Sequence, residues 1–200
     1  NTAGCYSADD AVRSYLAARG LAQWPVPACI RQHPGLAYWH ADDNGELHML
    51  GRYPAMLTPI VSGGKLLAIH RTYLGDGCKA DVPTPKKLTA AAGPLAGACI
   101  PLAAPHGGVL GIAEGIETAA AASLGSGLPV VAAYCANALA GFALPRGIER
   151  LVIFADHDPA GQQAGATLAQ RATRAGLTSK TLTPSKPGSD WADVWLEVMQ

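Results

Sequence analysis

The sequence predicts an α/β protein in two parts: a small mixed α/β first half, and a second half built on a central parallel sheet flanked by helices. Three observations predict this. From residue 109 onward, short apolar runs alternate with helical patterns, the rhythm of right-handed parallel crossovers. Before that point, two glycine-bearing turns, Asp42-Asp43-Asn44-Gly45 and Gly63-Gly64, each join a pair of β-like runs. Finally, the apolar run at residues 151–155 ends abruptly in Asp156-His157-Asp158, as a strand buried on both faces would end at a ligand-binding edge.

The elements follow in order. Residues 7–20 read as a helix, with Ser7 as a cap, Asp9 and Asp10 at its positive end, Gly20 closing it, and an apolar stripe of Val12, Tyr15, Leu16 and Leu21. Pro25, Pro27 and Pro34 keep the next stretch out of helix. Residues 36–40 and 46–50 form one hairpin, and residues 56–62 and 66–74 a second. A Pro- and Lys-bearing loop then spans residues 79–87, and residues 99–102 make one more short strand. A linker at residues 101–108 separates the halves, giving domains 1–104 and 105–200. Beyond it come strand 109–113, helix 116–124, strand 129–134, a short helical piece at 137–142, strand 151–155, helix 160–175, strand 179–183 and a last helix at 190–198.

Composition bounds the function. At 49% hydrophobic and 15% charged, the chain can fill a core. A net charge of zero argues against a strongly basic nucleic-acid binder. The charge is uneven, however. Residues 47–100 carry six bases (Arg52, Lys65, Arg71, Lys79, Lys86, Lys87) against two acids, whereas from residue 101 acids lead eight to six. Such a division suits a phosphate-chain binder with a metal site. The five cysteines show no close pair, which argues against a zinc ribbon or a disulfide framework and for reduced thiols in a cytoplasmic protein. No apolar run is long enough for a transmembrane helix, no signal peptide is visible, and no membrane partner is expected. Opening on Asn1 rather than Met fits an excised piece of a longer protein.

The chemistry gathers at strand ends. Asp156 and Asp158, one residue apart on a turn, repel unless a cation sits between them, and oxygen ligands favour a hard ion such as Mg²⁺. The alternative is that Asp158 caps the following helix while Asp156 is merely solvated. Two more strand ends bear acid: Glu114 with Glu117 one turn on, and Asp190 with Asp193 beyond it. Acids at three ends of one sheet edge favour the metal. His157 should point away from its flanking aspartates. The other histidines (33, 40, 48, 70 and 106) show no metal-ligand spacing, and neither a Gly-x-Ser-x-Gly elbow nor a Walker-type phosphate loop occurs. The four tryptophans read as packing residues, with Trp39 on an exposed hairpin.

Ala113-Glu114-Gly115, Phe154-Ala155-Asp156-His157-Asp158-Pro159-Ala160-Gly161 and Gly188-Ser189-Asp190 together resemble the Toprim domain of DnaG-type primases, topoisomerases and some nucleases. Leu66-Leu-Ala-Ile-His-Arg71, followed by Pro85-Lys86-Lys87-Leu88, resembles the primase core that precedes Toprim. The wording Glu114-Gly-Ile-Glu-Thr-Ala and Ser189-Asp-Trp-Ala-Asp193 is most similar to primases of phages, plasmids and other mobile elements. The resemblance implies a DNA primase making short RNA primers on single-stranded DNA from nucleoside triphosphates, with Mg²⁺ or Mn²⁺ as cofactor and a helicase or other replication protein as partner. It implies Glu114, Asp156 and Asp158 as catalytic and metal-binding acids, Asp190 as a further metal ligand, and Arg71, Lys86 and Lys87 as nucleotide or template contacts. Where cellular primases usually carry an aspartate four residues after the glutamate, this chain has Thr118, with Glu117 beside it. The rival readings are a Toprim-type nuclease and a non-catalytic nucleic-acid-binding module.

Overall fold

The structure is a computed structural model that describes residues 10–199. Ser7 and Asp9, expected at the start of the first helix, and Cys5 lie outside the described residues. The chain divides into two compact units: one runs to Thr58 and resumes at Ala68–Ala90, while the other takes Pro59–Leu67 and the chain from Ala91 onward.

In the first unit, α1 (Ala11–Ala18) is capped by Asp10, whose carboxylate accepts from the Val12 amide at 2.7 Å. Val12, Tyr15 and Leu16 form its buried face. An antiparallel sheet follows in the order β1 (Arg31–Ala41), β2 (Leu47–Ser62), β3 (Lys65–Tyr73), β4 (Lys86–Leu88). Both expected hairpins form, but two expectations need correction. Residues 46–50 and 56–62 belong to one 16-residue strand, β2, that runs straight through Pro54. It can do so because the register skips between His33 and Leu36, so that Pro34 and Gly35 face Pro54 across a bulge where no ladder N–H is needed. The expected loop at 79–87 ends instead in β4, which pairs His70, Arg71 and Thr72 with Leu88, Lys87 and Lys86. The core here is aromatic: the rings of Tyr53 and Tyr73 meet that of Tyr38 edge-on at 6.2 and 4.9 Å between centroids.

The second unit carries a parallel sheet in the order β6-β5-β7-β8, from β5 (Val109–Ala113), β6 (Val130–Ala132), β7 (Arg150–Phe154) and β8 (Thr178–Leu182). The helices α2 (Ile116–Ser126), α3 (Ala136–Gly141), α4 (Pro159–Arg174) and α5 (Trp191–Val198) alternate with the strands. β5 and β7 are central and nearly all buried, as unbroken apolar runs require. Leu110, Ile112, Leu151, Ile153, Leu139 and Leu168 pack into one core with the small residues of α4. The expected strand at 99–102 is reduced to single bridges, of which Ile100 to Ala132 covers the open edge of β6. Among the described residues, no helix is long and apolar enough to cross a membrane.

Candidate active site

Parallel pairing sets the acids level. Ala113 pairs with Phe154 on β7, and Phe154 pairs with Leu182 on β8, so three strands end together. Glu114 therefore leaves the sheet beside the segment that delivers Asp156 and Asp158. The third acidic segment is tied in by backbone bonds: the His157 amide donates to the Ser189 carbonyl at 2.9 Å, and the Gly188 amide to the His157 carbonyl at 2.8 Å. These place Asp190 beside the Asp156–Asp158 turn. Trp191 anchors the same loop by meeting the Phe154 ring edge-on at 5.8 Å.

Two of the acids also have a local task. Asp158 is the N-cap of α4, and its Oδ1 accepts from the Gly161 amide at 2.7 Å. The helix-cap reading of Asp158 is thus realised, and it occupies one of the two carboxylate oxygens. Asp190 caps α5 in a reciprocal box: Asp193 N–H donates to Asp190 Oδ1 at 2.9 Å, and Asp190 N–H to Asp193 Oδ2 at 3.1 Å. Glu114 and Asp156 are half-buried, whereas Glu117, in the first turn of α2, is 4% exposed. α2 and α4 start directly behind the acids, and their positive ends make this edge receptive to anionic ligands.

Gly161 lets the aspartates sit where they do. A Cβ on it would lie 2.8 Å from the Asp156 carbonyl oxygen and 3.2 Å from the Asp156 Cβ. The glycine thus gives its N–H to one aspartate and its missing side chain to the other. All the donors at this edge are carboxylate oxygens, the set that suits a hard divalent cation rather than a thiophilic one.

The basic residues lie in the first unit. Arg71 and Lys87 are direct cross-strand partners, an unfavourable like-charge pair. Each turns to a local acceptor. Arg71 Nη2 donates to the Leu88 carbonyl at 2.6 Å. Lys87 Nζ donates to the Trp39 carbonyl and lies 4.1 Å from the centre of the Tyr38 ring. Lys86 is exposed.

A second group escaped the sequence reading. Ligand atoms of Asp42, Glu46 and His48 all lie within 4.8 Å of one another, with His48 Nε2 3.2 Å from Asp42 Oδ2. No histidine spacing announced it, because a hairpin turn brings the residues together. Asp42 Oδ1 accepts from the Asn44 and Glu46 amides at 2.9 Å each, and these bonds, led by that from Glu46, hold its carboxyl below the usual range. A turn-stabilising role accounts for the cluster.

Residues 109–199 match the family of the Toprim domain. Residues 2–100 match a family described as Domain of unknown function (DUF7146). No curated protein matches the sequence. Solved structures do match. The DnaG primase catalytic domain bound to ssDNA is 16% identical and aligns over 92% of this chain and 68% of its own, with a TM-score of 0.55. The primase fragment of the bacteriophage T7 primase-helicase protein is 15% identical over 93% of this chain and 66% of its own, with a TM-score of 0.54. The RNA polymerase domain of Mycobacterium tuberculosis primase DnaG is 14% identical over 94% of this chain and 73% of its own, with a TM-score of 0.52. This chain spans 51% of a DNA primase domain from Pseudomonas aeruginosa. At these identities the likeness is one of fold.

Proposed function

We propose that this chain, a Toprim domain preceded by an antiparallel-sheet unit in a primase-like fold, is a DNA primase catalytic core that makes short RNA primers on single-stranded DNA. The observation that carries the reading is the acidic edge: Glu114, Asp156 with Asp158, and Asp190 leave three neighbouring parallel strands at one end of the Toprim sheet. Glu114, Asp156 and Asp158 would hold Mg²⁺ or Mn²⁺, with Asp190 completing the set. Such an ion supplies charge stabilisation to the attacking 3′-oxygen and the departing pyrophosphate in an in-line displacement.

The chain's own residues do the rest. The His157–Gly188–Ser189 backbone bonds keep Asp190 beside the paired aspartates. Gly161 holds the spacing of that pair against α4, and the α2 and α4 N-termini favour triphosphate oxygens over water. In the first unit, Arg71, Lys86 and Lys87 take template or triphosphate phosphates. A polyanion would relieve the cross-strand repulsion between Arg71 and Lys87, and Lys86 already faces solvent. A helicase or another replication protein would bring such a core to its template. Kinship with the primases of mobile elements belongs to the same proposal.

The test is direct. The protein is incubated with single-stranded DNA, nucleoside triphosphates and Mg²⁺ or Mn²⁺, beside the double variant Asp156→Ala/Asp158→Ala. New short oligonucleotides that the variant does not make support the primase. Shortened input DNA points to a nuclease built on the same acids, and DNA binding with neither product points to a non-catalytic module.

A further inference from the structure

Among the described residues, Tyr134 is the one non-glycine residue in the left-handed region, with φ 74°. A bulky side chain adopts this conformation only when its surroundings enforce it, and such residues cluster at functional sites. Its place gives the reason. β6 ends at Ala132, and the next two amides both turn toward β5: Ala133 N–H donates to the Ala113 carbonyl and Tyr134 N–H to the Glu114 carbonyl, each at 2.8 Å. Along a regular strand, successive N–H groups point to opposite sides, so two in a row toward one neighbour require the chain to leave extended geometry. The angle between these two amides is set at Ala133; Tyr134, its amide committed to the Glu114 carbonyl, then carries the chain on toward α3 with φ 74°.

The two accepting carbonyls belong to the two peptide planes that flank the Glu114 Cα. Both planes are thereby clamped, and with them the direction in which the Glu114 side chain leaves the backbone. Just beyond, Gly115 begins α2 as its N-cap, so Glu114 is a one-residue joint between strand and helix. The Tyr134 ring packs against the core of this unit, and its hydroxyl donates to the Leu95 carbonyl at 3.3 Å. Ring burial and this bond hold the left-handed backbone in place.

We infer that Tyr134 is a positioning residue for Glu114: its side chain anchors a left-handed backbone whose amide fixes the glutamate at the acidic edge. The inference rests on Glu114 acting as a metal ligand in the proposed site. It separates two things a substitution can remove, the anchor and the strain. Tyr134→Ala removes the anchor and keeps the strain, so the clamp relaxes. Tyr134→Gly removes both, since glycine adopts positive φ freely, so the clamp persists. Tyr134→Phe loses only the hydroxyl bond.

The experiment titrates Mn²⁺ into the full chain and counts bound ion from the loss of the free-ion resonance signal, with Glu114→Gln as reference and thermal melts as a check of folding. Tyr134→Ala should weaken Mn²⁺ by about tenfold, the usual size for an outer-shell partner, and Glu114→Gln, which removes a ligand itself, by at least as much. Tyr134→Gly and Tyr134→Phe should bind like the wild type. A merely structural tyrosine would move the melting temperature and leave the Mn²⁺ affinity alone. If Tyr134→Ala binds normally while Glu114→Gln does not, the positioning role is wrong and the metal site stands. If Tyr134→Gly weakens binding as much as Tyr134→Ala, the backbone account is wrong. If Glu114→Gln binds like the wild type, Glu114 is no ligand and the inference falls with it. Amide exchange of the wild type decides the matter should Tyr134→Ala not fold: a protected Tyr134 amide supports the clamp, and one that exchanges like an exposed loop amide overturns it.

Discussion

Gly161→Ala offers a sharp perturbation of the acidic edge, because two opposing effects can be weighed. Gly161 lies in the first turn of α4, where alanine is favoured over glycine by about 1 kcal/mol of intrinsic helix propensity. On propensity alone the variant would gain stability. The added Cβ, however, would lie 2.8 Å from the Asp156 carbonyl oxygen, 3.1 Å from its nitrogen and 3.2 Å from its Cβ. Two of these are backbone atoms, which cannot swing aside as a side chain can. Forcing a methyl group into such a space costs about 1 to 3 kcal/mol. The clash should cancel or outweigh the gain, for a net loss of about 0 to 2 kcal/mol, or up to roughly 8 °C in melting temperature for a chain of this size. The larger effect should fall on chemistry, because the strained contact is with Asp156 itself and can relax only by moving that residue or the α4 N-terminus. Outer-shell disturbances of this kind cost about tenfold to a hundredfold in metal affinity or activity. Gly165→Ala is the control. Its Cβ would press on the Ala155 Cβ at 3.1 Å and on Thr181 at 3.4 Å, so it should lower stability while sparing Mn²⁺ binding more than Gly161→Ala does. The assay pairs differential scanning calorimetry with Mn²⁺ titration. A Gly161→Ala protein that is more stable than the wild type and binds Mn²⁺ equally well would refute the reasoning.

Other outcomes follow from the same geometry. Asp158→Asn keeps an oxygen for the Gly161 amide, so its melting temperature should stay near that of the wild type while metal-dependent activity collapses; Asp158→Ala should also lose about 1 kcal/mol of cap stability, and urea melts separate the two. Lys86→Ala should weaken single-stranded DNA binding and flatten the slope of log affinity against log salt by about 0.7, as the loss of one phosphate contact requires; an unchanged slope removes Lys86 from the interface. Burial pushes the Cys99 thiol from 9.0 up to about 11. A raised folded-state value means the fold disfavours the thiolate, so this contribution to stability is intact below pH 9 and is lost as pH rises toward about 11. Denaturant melts of the wild type and Cys99→Ala across that range should converge at high pH, and exposed Cys78 should alkylate well before Cys99.

Much of the second unit was legible in the sequence because its signals are local. Every strand and helix there is a short periodic run, and a parallel sheet puts successive strand ends on one edge without further information. Glu114 and the aspartate pair could therefore be placed on one edge from order alone, but that β5 and β7 are neighbours, with β6 outside them, could not. The first unit was harder because its decisive pairings are distant. Residues 46–50 and 56–62 read as separate strands, and only the Pro34–Gly35 bulge on the neighbouring strand explains why the chain runs through Pro54 between them. Lys86–Leu88 is a strand only because Arg71 and its neighbours offer a free ladder, which no composition reveals. The partners of Lys87 in that unit, the Trp39 carbonyl and the Tyr38 ring, likewise depend on the folded sheet. Asp158 was ambiguous in the sequence because an N-cap and a metal ligand want the same side chain. The structure gives one oxygen to the cap. The left-handed Tyr134 left no trace, since nothing in Ala-Ala-Tyr-Cys announces positive φ.

The central claim is that the acids at the ends of β5, β7 and β8 serve nucleotidyl transfer. Incorporation of a radiolabelled nucleoside triphosphate on a single-stranded template, with wild type and Glu114→Gln compared across a Mn²⁺ series, tests it most directly. The account expects template- and Mn²⁺-dependent short RNA from the wild type and a loss of at least about a hundredfold in Glu114→Gln, within the range for removing one group that stabilises transition-state charge. Equal product from the two proteins would contradict it, as would a folded, DNA-binding wild type that incorporates nothing at any Mn²⁺ concentration.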